Sequence, residues 1–351
     1  FHYDETATMA SITTAALKLE ISMERGNLTY LAADGKTLLR ESDAMPRTYT
    51  PVVLNGQHTY HIVDRFSPNF TEAFYGLGQH QNGMFNYRGA TIELAQNNTD
   101  IAVPVLVSTT GYSIIWNTAS YTFVDNRFPL ELSFHSMAGP GVDYFFLYGP
   151  QMDKLVHEYR DITGHAPMLP RWAYGFIQSK DRYTSLDQIL SIANRYRREH
   201  IPLDVMVQDW FWWKTEGDPT FNSNYQDVPG KLKDLHGEHV HTMISTWGLL
   251  DPKSETYKKM AAQGLLVPRA HVYDATNPKA RQLYWGSLLR PLFSEGWDSF
   301  WLDSAEPEEY WPHMGDAILK KMNLAIVNGA EYTNVFPLLH SEGVQNHCEA
   351  T

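Results

Sequence analysis

The sequence predicts an α+β multidomain chain, with an amino-terminal antiparallel β-sandwich over residues 1–165 and strand–helix units of a (β/α) barrel over 166–351. Three observations carry this reading. Short alternating apolar runs separated by turn residues fill the first part, the proline-containing stretch HAPMLPRW breaks the rhythm, and buried-looking strands then alternate with amphipathic helices. A chain of 351 residues with 43% hydrophobic and 19% charged residues can build two cores, as more than one domain requires.

In the first part the strand signals are LKLEIS, NLTYLAADGKTLL with its Asp34-Gly35 turn, PVVLNGQHTYHIV with Asn55-Gly56, VPVLVSTTGYSIIWN with Gly111, and VDYFFLYG. Hairpins at this regular spacing point to a sandwich. The amphipathic stretch GPQMDKLVHEYRDITG closes the domain, and the boundary is expected near residue 166.

In the second part WAYGFIQS reads as a buried strand, SLDQILSIANRYRREH as a helix, IPLDVMVQDW as the second strand and HVHTMISTWGLL as the third. Helices over SETYKKMAAQGLL and PKARQLYWGSLLRPLFSEG precede a fourth strand, DSFWLDSAE. Near-continuous apolar strands alternating with helices mean a parallel sheet, either doubly wound or a barrel. The strand ends favour the barrel: Lys180 and Arg182, Asp209 and Trp210, Trp247, and Asp303 with Glu306 follow the four strands in turn, and a barrel converges its strand ends on one site. No glycine-rich phosphate loop follows the first strand, which removes the main support for a nucleotide-binding sheet. A lone strand-end aspartate can equally cap a helix, so what matters at Ser299–Trp311 is that Asp303 and Glu306 stand three residues apart among other acids and aromatics.

Composition narrows the ligand. A formal charge of −12 without clustered Lys and Arg argues against a nucleic-acid partner. Ten Trp and twenty Tyr suit both core filling and stacking on sugar faces. No apolar run is long enough to span a bilayer. The start, FHYDETATM, has neither an initiator Met nor a leader pattern, so it is expected to be processed or truncated and fixes no compartment. The single Cys348 allows no internal disulfide, and the sequons at Asn27, Asn69 and Asn97 carry little weight. His236, His239 and His241 lack a metal-ligand pattern, and no G-x-S-x-G elbow exists for serine hydrolysis.

Four motifs in order, FYGLGQ (Phe74–Gln79), PRWAYGFIQSKDRY (Pro170–Tyr183), IPLDVMVQDWFWW (Ile201–Trp213) and FWLDSAEPE (Phe300–Glu308), resemble glycoside hydrolase family 31. The resemblance implies a retaining α-glycosidase with an amino-terminal β-sandwich and a (β/α)8 TIM barrel, acting on a carbohydrate. Asp303 matches the family's nucleophile in W-x-D-x-x-E, Glu306 its supporting carboxylate, and Asp209 the aspartate that grips sugar hydroxyls. Trp210, Trp247, Lys180 and Phe176 are the implied substrate-binding residues, with Trp212 and Trp213 divided between pocket and packing. QSKDRY, and Ser304-Ala305 where many α-glucosidases carry Met-Asn, lean the substrate toward α-xylosides such as xyloglucan oligosaccharides; α-glucosides, α-galactosides, transglycosylation and non-catalytic sugar binding are the alternatives. The two-carboxylate mechanism needs no cofactor and no metal, and family members often form homo-oligomers.

The stretch from Met168 to Thr351 is shorter than the about 250 residues of a full barrel, and no segment matches the family's acid/base motif. The resemblance therefore implies a chain holding the first half of the barrel, about four strands, with little turnover by itself and with sheet edges prone to association.

Overall fold

A computed structural model describes residues 1–306, 320–326 and 328–351. The chain forms two compact units, one made of Phe1–Ala166 with the later stretch Asn328–Asn334, the other beginning at Pro167. Among the described residues no helix is long and apolar enough to cross a membrane.

The first unit is all but entirely antiparallel β structure in two sheets. The larger runs His2–Glu5, Met9–Thr13, Leu17–Ser22, Leu28–Ala32, Thr37–Glu41, Gln57–Ser67, Leu132–Gly139, Thr122–Asp125 and Thr91–Leu94, with Arg47–Leu54 also paired to Gln57–Ser67. The smaller runs Tyr144–Tyr148, Tyr112–Trp116, Ile101–Ser108 and Phe74–Gln79. Asn55 adopts a φ of 51° and Gly56 one of 77°, the two left-handed residues that a tight hairpin turn demands, and the flanking strands pair from Leu54 opposite Gln57 outward.

One apolar cluster joins inward residues of both sheets, including Tyr30, Phe66 and Phe134 from the larger and Phe74, Ile114 and Trp116 from the smaller. Trp116 stacks on Phe134 with centroids 4.7 Å apart, and its indole N–H donates to the Ser136 hydroxyl at 2.9 Å, so the largest buried ring leaves no polar atom unsatisfied. The return of Asn328–Asn334 to this unit has no counterpart in the sequence reading. Hydrogen bonds hold it: Asn328 Nδ2 donates to the Leu54 carbonyl at 2.9 Å, and Asn334 Nδ2 donates to that of Leu94 at 2.9 Å while its Oδ1 accepts from the Gln96 N–H.

The second unit carries four parallel strands in chain order, Ile177–Gln178, Val205–Gln208, His241–Trp247 and Ser299–Asp303, forming an open sheet among the described residues. The second strand is fully buried, as its apolar run requires. The first departs from the prediction of a buried strand over WAYGFIQS. Arg171–Tyr174 is a 3-10 turn, only two residues pair, and Phe176 and Ile177 are exposed, because among the described residues this strand has one partner. Trp301, on the opposite edge strand, is 44% exposed for the same reason.

Helix Leu186–Arg198 follows the first strand, and Pro278–Tyr284, a π turn at Trp285–Leu289 and Arg290–Glu295 make one continuous run before the fourth. Helix Val228–Gly237, between the second and third strands, was not predicted: Pro229 and Gly230 in its first turn mask it, although proline is well accommodated there. Ser185 caps Leu186–Arg198 by accepting the Gln188 N–H at 3.2 Å, and Gln188 Oε1 accepts the Thr184 N–H in return. Ser185→Ala is expected to destabilise the second unit by about 1 kcal/mol, read as a lowered urea midpoint at unchanged slope.

Candidate active site

The strand register brings the acids to one end of the sheet. Trp247 pairs with Asp303 across the third and fourth strands, and Gln208, just before Asp209, pairs with Ile244. Each acid is aimed by the turn that ends its strand: Asp303 Oδ1 accepts the N–H of Ser304 at 2.8 Å, and Asp209 Oδ1 that of Trp210 at 2.8 Å. Ser304 and Phe211 hold left-handed φ values of 52° and 63° without being glycine, a local strain of the kind that concentrates where side chains must be re-aimed. Glu306 lies just past the first of these turns; Pro307 and Glu308 of the same motif, and its continuation to Trp311, lie outside the described residues.

Asp209 senses Asp303. Burial pushes the Asp209 carboxyl up, the Trp210 N–H opposes this, the nearby Asp303 and Asp181 carboxylates raise it further, and Arg182 lowers it. A carboxylate held this way has lone pairs left for two further hydrogen-bond donors.

An aromatic wall stands beside the acids. Trp210 stacks on Trp247 with centroids 5.6 Å apart and 13° between planes, Phe211 stacks on Trp210 at 3.9 Å, and Trp213 meets Trp247 edge-on at 5.8 Å. Trp212 turns inward, 1% exposed, with its N–H donating to the Ser245 carbonyl at 2.8 Å. The four adjacent aromatics thus divide: Trp212 packs, and the other three line the open end. Tyr284 supports the wall from behind, its hydroxyl donating to the Trp247 carbonyl at 2.8 Å.

Two expected binding residues stand elsewhere. Phe176 precedes the first strand rather than ending it; its N–H donates to Asp204 Oδ2 at 2.8 Å and its ring faces Tyr196 at 5.9 Å. It lines, with Lys180, Tyr183 and Tyr196, a cavity of about 710 Å³ between the first strand and helix Leu186–Arg198 whose wall includes neither Asp209 nor Asp303. The physical reason is polarity: a barrel strand presents to the site what stands at its carboxyl end, and Phe176 is at the other. Asp181 and Arg182, which follow Lys180, reach the aromatic wall instead; Arg182 is among the strand-end residues named from the sequence, and Asp181, its neighbour in QSKDRY, is the addition. Among the histidines, His236 and His241 approach Asp298 at 2.8 and 3.4 Å at the amino-terminal entry of the third and fourth strands.

Residues 166–351 match the glycosyl hydrolases family 31 TIM-barrel domain. The chain is 35% identical over 301 residues to an α-xylosidase of Saccharolobus solfataricus, a match covering 82% of this chain and 40% of that protein. The crystal structure of a family 31 α-xylosidase from Xanthomonas citri superposes with a TM-score of 0.93 at 24% identity, over 100% of this chain and 56% of that one. A soil-metagenome α-xylosidase of the same family, solved with xylose, gives 0.89 at 27% identity, over 98% of this chain and 55% of that one. The chain therefore spans roughly half of these relatives or less, and its second unit is part of a TIM barrel, as the sequence predicted.

Proposed function

Because the chain belongs to glycoside hydrolase family 31, we propose that its protein is a retaining α-glycosidase that cleaves terminal α-xylosides, such as those of xyloglucan oligosaccharides. In this reading Asp303 attacks the anomeric carbon and the glycosidic C–O bond breaks, leaving a covalent glycosyl-enzyme that water then hydrolyses. A second carboxyl group, for which none of the residues above is put forward, protonates the departing oxygen and then deprotonates the water. Asp209 accepts hydroxyl hydrogens of the sugar, Glu306 supports the nucleophile's turn, and the Trp210–Trp247 wall stacks on the sugar's apolar face.

The observation that carries the reading is the pairing of Asp303 with Trp247 at one sheet end, with Asp209 close enough for the Asp303 carboxylate to raise the cost of ionising it. The preference for xylose rests on the α-xylosidase names of the similar proteins and on QSKDRY and Ser304-Ala305.

The test is turnover of p-nitrophenyl α-D-xylopyranoside against the α-D-glucopyranoside, with proton NMR following the first anomer released. Faster xyloside cleavage with α-xylose appearing first is the expected result. A β-anomer first would overturn retention, a glucoside preference would overturn the substrate, and xylose binding without turnover of either would make the protein a sugar-binding one.

A further inference from the structure

Arg182 lies over aromatic rings and forms no ion pair among the described residues. Its guanidinium carbon lies 4.3 Å from the Phe211 centroid and 5.2 Å from that of Trp210, the two rings being stacked on each other. The residue before it fixes this platform: the Trp210 indole N–H donates to Asp181 Oδ1 at 2.8 Å. One short segment thus pins the tryptophan by its edge and lays a cation over its face.

A guanidinium held over aromatic rings spends its π face and keeps its N–H donors in the plane. Among the described residues, Arg182 has these two ring contacts and no hydrogen-bonded acceptor, although it is half-buried. No Arg182 nitrogen is sealed from solvent, so an incoming acceptor can reach donors that no described residue occupies. Neither neighbouring acid forms an ion pair with it among the described residues: Asp181 Oδ1 accepts the Trp210 indole N–H and Asp209 Oδ1 the Trp210 backbone N–H. The Arg182 charge nevertheless reaches Asp209, whose carboxyl it lowers.

A sugar hydroxyl fits between them. It donates its hydrogen to a carboxylate and accepts on its oxygen from a guanidinium, so an Asp–Arg pair grips one hydroxyl from both sides. We propose that Arg182 is a specificity-determining residue that donates to a hydroxyl of the bound sugar whose hydrogen Asp209 accepts, with Asp181 a positioning residue that holds Trp210 and through it Arg182. The inference rests on the glycosidase reading above and adds to it a first-strand contact.

The test is a cycle between side chain and substrate. kcat/KM is measured for the wild-type protein, Arg182→Met and Arg182→Lys on p-nitrophenyl α-D-xylopyranoside and its 2-, 3- and 4-deoxy analogues. In the wild type, removing the gripped hydroxyl should cost about 10- to 100-fold. In Arg182→Met the parent substrate should fall by a similar factor, and the penalty for that one deoxy analogue should shrink about tenfold while the other penalties stay. Arg182→Lys, which keeps charge and stem but not the planar fork, should fall between, and serves alone if the Met variant does not fold. Asp181→Ala should raise KM more than it lowers kcat and shift the tryptophan emission, whereas Asp181→Asn, still an acceptor through its carbonyl oxygen, should do less. Identical deoxy penalties in wild type and both Arg182 variants would overturn the contact and leave the glycosidase reading intact. A wild-type protein that turns over neither xyloside nor glucoside would overturn both.

Discussion

Asp303→Ala is expected to lower kcat by at least about 10³-fold while sugar binding and the urea midpoint change little. The substitution removes the carboxylate that would carry the glycosyl group, so the reaction loses its covalent intermediate rather than one contact among several. What it leaves is substantial: Asp209, Trp210 and Trp247 stand on other strands, and among the described residues the Asp303 carboxylate accepts one backbone hydrogen bond, from its own neighbour Ser304. Because that bond shapes a turn whose Ser304 φ is 52°, Asp303→Asn is the sharper partner variant, since an amide oxygen can still accept there yet cannot act as the nucleophile. Both variants should be inactive and folded. Azide provides the positive control: with an aryl xyloside and the Ala variant, it should enter from the vacated face, displace the phenolate and give β-xylosyl azide. Undiminished turnover in Asp303→Ala would remove Asp303 from the chemistry.

The strand-end position of Asp303 was legible in the sequence because an apolar run such as Phe300–Leu302 that stops at a carboxylate marks where a parallel strand ends, although a lone aspartate there can equally cap a helix. The antiparallel hairpins were legible for a similar local reason, the left-handed turn at Asn55-Gly56 fixing both its position and its register. What escaped was set by long-range neighbours. Whether WAYGFIQS is central or edge depends on how many partners it has, and with one partner among the described residues Phe176 and Ile177 are exposed. The return of Asn328–Asn334 depends on carbonyls at Leu54 and Leu94, more than two hundred residues away in the chain. Within QSKDRY, Lys180 and Arg182 both drew attention as cations at a strand end, yet a two-residue strand followed by a turn sends Lys180 to the helix side and Arg182, with Asp181, to the aromatic wall. Sequence identifies the segment that carries the charge; the turn decides which of its residues arrives.

Acid is expected to destabilise the second unit through His340 at pH values where most carboxylates are still ionised. His340 sits on helix Phe336–Glu349, fully buried among Tyr273, Tyr284 and Phe336, whose ring centroids lie 5.7, 5.4 and 5.7 Å away. Burial pushes its pKa down to about 4, and pushes the Tyr273 hydroxyl well above its usual value. At neutral pH that hydroxyl therefore keeps its proton and donates it to His340 Nδ1, 2.5 Å away, which makes the imidazole neutral and an acceptor at this nitrogen. An unfolded histidine titrates near 6.5, so above that pH neither state binds the proton and the term is constant. Between about 6.5 and 4 the unfolded chain takes up a proton that the folded one refuses, and stability falls as pH falls; below about 4 both are protonated and the slope ends. The loss amounts to about 2.5 kcal/mol by pH 4.5. The consequence reaches the site, because Tyr273 stacks on Tyr284 at 4.6 Å and Tyr284 holds the Trp247 carbonyl. Urea unfolding of wild type and His340→Gln at pH 7.5, 6, 5 and 4.5 isolates the term, since every other titrating group is common to both. The wild type should lead at pH 7.5 and lose about 2.5 kcal/mol of that lead by pH 4.5; curves that stay parallel would show that His340 accepts its proton in the folded state as readily as in the unfolded one.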